Sequence, residues 1–404
     1  MRIHLIYPKW PKMPHQTPFN LPPHGPVCFA AGVPDDVEIV FTDENVQELD
    51  MNIEADLVCV SVMLTCQAPR GWEIADEYRG KGHTVVFGGI AASLHAGETA
   101  AHADSVFLGE TEGFFPEVME DFKKGRLRPV YRPDRYPDMS TLPPADRSIL
   151  NHDLYTYKGV RMVDLIHASR GCRFNCYPCC VPVLGGRTFR PRPPEKVVEE
   201  MARIENDRLF FVDNSLAQDR GWVLDLFRAI APLKKYWICH PLFNTDQVVK
   251  AAAEAGCWYV YQAVYDRSEK TRTRIRRLKD HGIGVEGTVL LGLDDQTEDD
   301  IYRMVDFLLE ADLDMAEFTV LTPFPHSQAY VDLEKQGRIL HKDWKRYTAS
   351  ETVFQPKHMS PQRLDELHRY AWETFYSKES RQQKMFKLFL KLKRKQNAGS
   401  AGHP

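Results

Sequence analysis

Two successive series of short apolar runs alternating with helical spacing dominate this chain and restrict it to an α/β fold. In the first series, strand patterns fall at residues 2–7, 37–41, 57–62, 84–88 and 105–108, with helical spacing at 68–81. Short strands separated by helices of this kind imply βαβ units and a doubly wound, Rossmann-like sheet. In the second series, strands are expected at 161–168, 209–213, 236–239, 259–264, 284–291 and 316–321. Helical stretches at 195–204, 222–231, 245–255, 270–281 and 298–311 lie between them. Six such units suggest a partial (β/α)6 barrel of TIM type, with the working loops at the strand C-termini. The expected domains are 1–125, a linker over 126–160 rich in Pro, Arg and Asp, a barrel over 161–330, and a helical extension over 331–404. That extension ends in a basic tail, 384–395, expected to fray and weighed as a contact for an anionic membrane.

Composition removes several classes of function. A formal net charge of −4 over 404 residues gives no global reason to expect nucleic acid as partner. The apolar runs fall far short of the roughly 20 residues a membrane helix needs. Lys9, Lys12 and several prolines interrupt any signal-like core, so a cytoplasmic protein is expected. Nine cysteines without a secretion signal argue against a disulfide framework. Cys28, Cys59, Cys66, Cys239 and Cys257 are scattered and read as small buried hydrophobes.

The other four cysteines lie between Cys172 and Cys180. Cys172, Cys176 and Cys179 have the spacing C-x3-C-x2-C, directly after a strand and a glycine. Three thiolates suit a cuboidal iron–sulfur cluster with one iron left open, which can chelate S-adenosylmethionine (SAM) and pass it an electron. The alternative is structural zinc, with Cys180 as fourth ligand. Adjacent cysteines chelate one tetrahedral metal poorly, and no second pair follows at finger spacing.

Ser169-Arg170-Gly171-Cys172 through Cys179, with Gly186-Arg187 and Arg190-Pro191-Arg192, resembles the opening of radical SAM enzymes. More narrowly it is similar to those with an N-terminal cobalamin-binding domain, including the bacteriochlorophyll cyclase and hopanoid-modifying branches. Gly282 to Gly287 with Gly292 to Thr297, Leu321 to Ser327, and Gly337-Arg-Ile-Leu with Trp344 to Tyr347 carry the likeness along nearly the whole chain. The resemblance implies a [4Fe–4S] cluster, SAM and cobalamin as cofactors. It implies a methyltransferase acting on an unactivated carbon through a 5′-deoxyadenosyl radical and methylcobalamin. Cobalamin-assisted cyclisation, rearrangement or oxidation is the rival within enzymes. A degenerate cofactor-binding protein without turnover is the rival from another class. A small lipid, isoprenoid or tetrapyrrole substrate and an electron donor such as flavodoxin or ferredoxin are implied as partners.

Glycines at the ends of adjacent parallel strands let a ligand approach the backbone. Gly88, Gly89, Gly109 and Glu110 occupy such ends, with Ser61, Leu64 and Thr65 at a third. Alone they support a nucleotide-like ligand or ordinary tight turns; the resemblance implies cobalamin, without a histidine on cobalt because D-x-H-x-x-G is absent. It also places Tyr177 and Pro178 beside the adenine, and Asp213 and Asn214 near SAM, where helix capping is the other reading. Two departures stand out: Pro178 replaces the usual aromatic residue, and Tyr265 stands where relatives have a SAM-holding glutamate. The basic run 267–279 after Tyr265 reads as a shortened fourth βα unit. Arg187, Arg190 and Arg192 read as carboxylate binders or a solvated loop, and His240 and His326 are undecided.

Overall fold

The computed structural model describes residues 1–13, 15, 19–388 and 390. The chain divides into two compact units: Met1–Met13, Pro18–Asn206 and Pro323–Thr348 form the first, and Pro14–Thr17, Asp207–Thr322 and Ala349–Pro404 the second. Both are α/β with parallel sheets.

The first unit runs β1 (Arg2–Tyr7), α1 (His24–Ala30), β2 (Glu38–Asp43), β3 (Leu57–Ser61), α2 (Ala68–Gly80), β4 (Val85–Gly88), α3 (Ile90–Leu94), α4 (Ala96–His102), β5 (Ser105–Phe107), α5 (Phe115–Lys123) and β6 (Val130–Tyr131). Its sheet has the order β2-β1-β3-β4-β5-β6, all pairs parallel. The continuous apolar run of β3 is explained by burial on both faces. Val58 and Val60 pack with Ile74 and Tyr78 of α2, whereas Leu57 and Cys59 pack with Phe115 and Val118 of α5. The chain turns from β1 to β2 on one side and to β3 on the other. The β1/β3 boundary is therefore the switch point, where a crevice opens at the strand C-termini.

His4 sits fully buried in β1, between the Tyr78 hydroxyl and Thr42 Oγ1, each 2.9 Å from a ring nitrogen. Burial lowers its pKa from 6.5 to about 4, so the folded ring stays neutral. Between those values the unfolded chain binds a proton that the folded chain does not, and stability falls as pH drops from 6.5 towards 4. The expected loss from this ring is about 3 kcal/mol by pH 4. Urea unfolding of wild type and His4→Gln across this range checks it: the wild-type slope should be steeper.

The expected linker 126–160 is instead folded into the first unit. Tyr131 joins the sheet in β6, Met139 and Leu142 are buried, and Tyr155 donates to Asp43 Oδ2 at 3.0 Å. Composition concealed this because the anchors are single side chains without a period. The expected strand 161–168 is also broken. Lys158 and Gly159, both at positive φ, make a tight turn, and β7 (Thr156–Tyr157) pairs back on β8 (Val160–Arg161). The chain then continues through β9 (Asp164–Ile166), β10 (Ser169–Arg170), α6 (Val181–Gly185), β11 (Arg190–Pro191) and α7 (Pro194–Arg203).

The second unit alternates β12 (Arg208–Phe211), α8 (Arg220–Ile230), β13 (Tyr236–Cys239), α9 (Asp246–Glu254), β14 (Cys257–Ala263), α10 (Glu269–Asp280), β15 (Gly284–Leu291), α11 (Glu298–Glu310) and β16 (Met315–Val320). The five strands pair in chain order, all parallel. Starts are set by local chemistry: Asp219 and Ser268 cap α8 and α10, and Thr297 with Asp300 forms a capping box on α11. The run after Tyr265 is helical. It forms the 12-residue α10, whose Arg272 and Lys279 pair with Glu310 and Asp312.

Helix α12 (Gln328–Lys335) returns to the first unit, and α13 (Pro361–Phe375) packs on β16 and α11 in the second. A helix over 381–388 follows. Its Leu388 is buried against Ile238, Tyr259 and Met315, and Arg381 pairs with the buried Glu286 at 2.8 Å. Leu388 of the expected frayed tail is therefore part of the core, whereas Phe386 is exposed. Residues 391–395 lie outside the described residues.

Candidate functional site

The cysteine loop is closed by a two-residue antiparallel ladder, Ser169 against Pro191 and Arg170 against Arg190. Gly171 begins the loop at φ +72°. A Cβ there would stand 2.2 Å from Thr188 O and 3.0 Å from Gly185 O, so the loop closes only over glycine. Gly171→Ala should cost at least about 2 kcal/mol through backbone strain and this clash. Reduced iron incorporation with unchanged far-UV circular dichroism is the expected result.

Within the loop, Cys179 N donates to Cys176 O at 2.9 Å, a turn that draws these two residues together. Val181 N donates to Cys179 Sγ at 3.4 Å. Cys176 and Cys179 are exposed, Cys172 half-buried, and none is in a disulfide. Burial and the neighbouring thiols raise Cys172 and Cys179. A bound metal overturns that balance by ionising its thiols outright. Three accessible thiols on one short loop fit an iron–sulfur cluster with an open iron. Cys180 instead begins α6, with its thiol pushed up to about 11 by burial.

The arginines around the loop are structural. Arg190 and Arg170 converge on Glu110, with Arg170 Nη1 2.7 Å from Oε2, and Arg170 also pairs with Glu112. Burial alone would raise the Glu110 carboxyl, yet Arg190 and Arg170 hold it below its ordinary value. Arg192 is buried and lies 2.6 Å from Glu200. Arg187 is exposed. Arg190 also stacks over Tyr136 at 4.0 Å. Two of the three loop arginines are thus spent on acids of the first unit.

Glu110 follows β5, so its ion pairs tie the base of the cysteine loop to the C-terminal edge of the first sheet. The contact of α3 with α6 does the same. At this edge the predicted residues divide. Gly109, at φ +104°, has open space where a Cβ would stand, and Gly88 only ordinary contact. Both leave backbone that a ligand can reach. Gly89 is required by packing, because a Cβ would lie 2.4 Å from Val62 O. Ser61 ends β3, Leu64 is half-buried, and Thr65 is buried beside His95 Nε2 at 3.3 Å. Gln67, missed in the sequence, fixes this loop: its Oε1 accepts from Met63 N at 2.8 Å and from Leu64 N at 3.3 Å.

Met63, Ile90, Phe174, Tyr177 and Val183 are each more than 40% exposed, in the segments that follow β3 and β4 and in the cysteine loop with α6. These exposed apolar side chains are candidates for contact with a ligand. Pro178, beside Tyr177, is half-buried. Tyr177 and Met63 stand in segments that the sequence resemblance assigns to cofactors; no sequence period links the five.

In the second unit Asp213 is buried beyond β12 and Asn214 is exposed. Neither is the cap of α8, a role taken by Asp219. His240 Nδ1 meets Asp213 O at 2.8 Å, which gives that histidine a positioning role in the loop. Tyr265 is exposed, and Asp266 beside it is lowered to about 2 by hydrogen bonds from Ser268 and Thr271. In the first unit, His326 is held at φ +64°, a conformation glycine adopts freely.

An α/β protein with a doubly wound sheet at one end of the chain and a three-cysteine loop beside its strand ends defines the class. Over 83% of this chain and 78% of the other, the fold matches a radical SAM methyltransferase, TsrM from Kitasatospora setae, solved with cobalamin and a [4Fe–4S] cluster bound, at TM-score 0.63 and 18% identity. No family model matches the chain. Among curated relatives it is 24% identical to bacteriochlorophyllide d C-12(1)-methyltransferase of Chlorobaculum tepidum, over 81% of this chain and 76% of that one. It is 26% identical to the C-8(2)-methyltransferase of the same organism, over 81% and 79%. The hopanoid C-2 methylase of Rhodopseudomonas palustris is 22% identical over 85% of this chain and 72% of its own length. The likeness to these methyltransferases therefore runs through most of the chain and not through the cysteine motif alone.

Proposed function

We propose that this chain is a cobalamin-dependent radical SAM methyltransferase acting on an unactivated carbon of a lipid, isoprenoid or tetrapyrrole. The observation that carries the reading is Glu110, whose paired arginines join the cysteine loop to the glycine-bearing edge of the first sheet. Cys172, Cys176 and Cys179 would hold the cluster. Ser61, Leu64, Gly88 and Gly109 would line the cobalamin, with Thr65, Gly89 and Glu110 shaping that edge from behind. In the first unit Tyr177 and Pro178 are the proposed SAM contacts; in the second, a proposed partial barrel, Asp213 and Asn214 stand beyond β12 as candidates for the same ligand. When bound, these cofactors supply a 5′-deoxyadenosyl radical and a transferable methyl group. The chain's own part is to hold the thiols on a closed loop and to offer an apolar rim that excludes water once covered.

Support for the substrate class comes from the relatives' printed names, which are those of tetrapyrrole and hopanoid enzymes. No helix among the described residues is long and apolar enough to cross a membrane. The enzyme as proposed is cytoplasmic and takes its electron from a flavodoxin or ferredoxin. Anaerobic reconstitution with iron, sulfide and hydroxocobalamin, followed by turnover with methyl-labelled SAM, tests the proposal. About four irons, bound cobalamin and label in the product are expected. Turnover without label transfer would replace methylation by cyclisation or oxidation, and cofactors without 5′-deoxyadenosine would mark a binding protein.

A further inference from the structure

A second cluster of metal-ligating side chains lies outside the cysteine loop. His24 opens α1, Cys28 follows one turn later on the same face, and His167 comes from the segment between β9 and β10. His24 Nε2 is 2.7 Å from His167 Nδ1 and 3.4 Å from Cys28 Sγ. One ligand atom from each of the three falls within 4.8 Å of the others. From these distances we propose that His24, Cys28 and His167 bind a Zn2+ ion as a three-residue site with one position left for water.

Two of the three separations stand close to those of a zinc site. Zinc takes imidazole nitrogen at about 2.0–2.1 Å and thiolate sulfur at about 2.3 Å, so tetrahedral ligands stand about 3.3 Å apart for N and N and about 3.5 Å for N and S. The His24–Cys28 separation of 3.4 Å already meets this. The two rings need to part by about 0.6 Å, the movement that replaces a shared proton by a metal ion.

The ring nitrogens that would not ligate, His24 Nδ1 and His167 Nε2, are buried without a hydrogen-bond partner among the described residues. Burial also lowers both rings well below their ordinary value, keeping them in the neutral form that ligates. Arg147, Arg170 and Arg192 face the rings and oppose a cation. Most of that charge is compensated: Arg170 pairs with Glu110 at 2.7 Å, while Arg147 and Arg192 share the single Glu200 at 2.9 and 2.6 Å, which leaves one positive charge over. The Cys28 thiolate formed on binding removes a further positive charge.

Zinc per chain in the anaerobically purified protein, measured by elemental analysis beside iron, tests the proposal. About one zinc is expected, falling at least tenfold in Cys28→Ser and His167→Gln while iron is kept, and unchanged in Cys180→Ser. Zinc lost in Cys176→Ala but kept in Cys28→Ser would place the ion in the cysteine loop and overturn the proposal, together with the iron–sulfur reading. Iron without zinc would overturn this proposal alone. Should the variants fail to fold, zinc-edge absorption of the wild type decides: about two nitrogens and one sulfur support the site, and four sulfurs exclude it.

Discussion

Cys176→Ala is expected to take the reconstituted protein from about four irons per chain to none, and to abolish formation of 5′-deoxyadenosine. Cys176 is exposed and its removal leaves no buried cavity, so the far-UV spectrum and cobalamin binding should persist. That separation matters because the proposed cobalamin residues lie on a different segment from the cysteines. Cys180→Ser, one residue beyond the ligands, should keep the iron. Iron retained in Cys176→Ala, or lost equally in Cys180→Ser, would contradict the three-thiolate assignment.

The largest expected effect on stability is at Glu200, far in sequence from any ligand. Its carboxylate is buried in α7 between Arg192 at 2.6 Å and Arg147 at 2.9 Å. Arg192 also donates to His167 O at 2.9 Å. Breaking a buried pair from one side leaves a desolvated charge, which costs about 3–5 kcal/mol. Glu200→Leu strands two guanidiniums at once, whereas Arg192→Met leaves Arg147 to satisfy the acid. Glu200→Leu should therefore be the more damaging, with urea midpoints ordered wild type, Arg192→Met, Glu200→Leu. The reverse order would mean that packing of the arginine stem, and not charge, dominates there. The acid is a positioning residue, since Arg192 leads directly from β11 at the base of the cysteine loop.

Much of this was legible in the sequence. The strands 236–239 and 284–291 were located to the residue, because buried β-branched and aromatic runs between helical spacings admit few other readings. Five cysteines read as buried hydrophobes are buried. The glycines were less transparent, because sequence cannot distinguish one with open space beside it, as Gly109 has, from one that admits Val62, as Gly89 does. The same limit applied to the loop arginines, where a basic run suggested solvent or substrate. Their partners Glu110, Glu112 and Glu200 are remote in sequence or unremarkable in composition.

By itself the sequence determined the α/β class, the three-cysteine loop and the resemblance to cobalamin-binding radical SAM enzymes, since period and ligand spacing are local properties of a chain. Only the tertiary structure decided what the rest is for. Trp344, within a segment that sequence assigned to a C-terminal extension, donates to Glu98 Oε1 at 2.9 Å across 246 residues, and Lys345 pairs with Glu73 at 2.8 Å. That segment thereby belongs to the first unit. The meeting of His24, Cys28 and His167 is of the same kind. Such contacts depend on where the whole chain returns, and a local pattern carries no record of that.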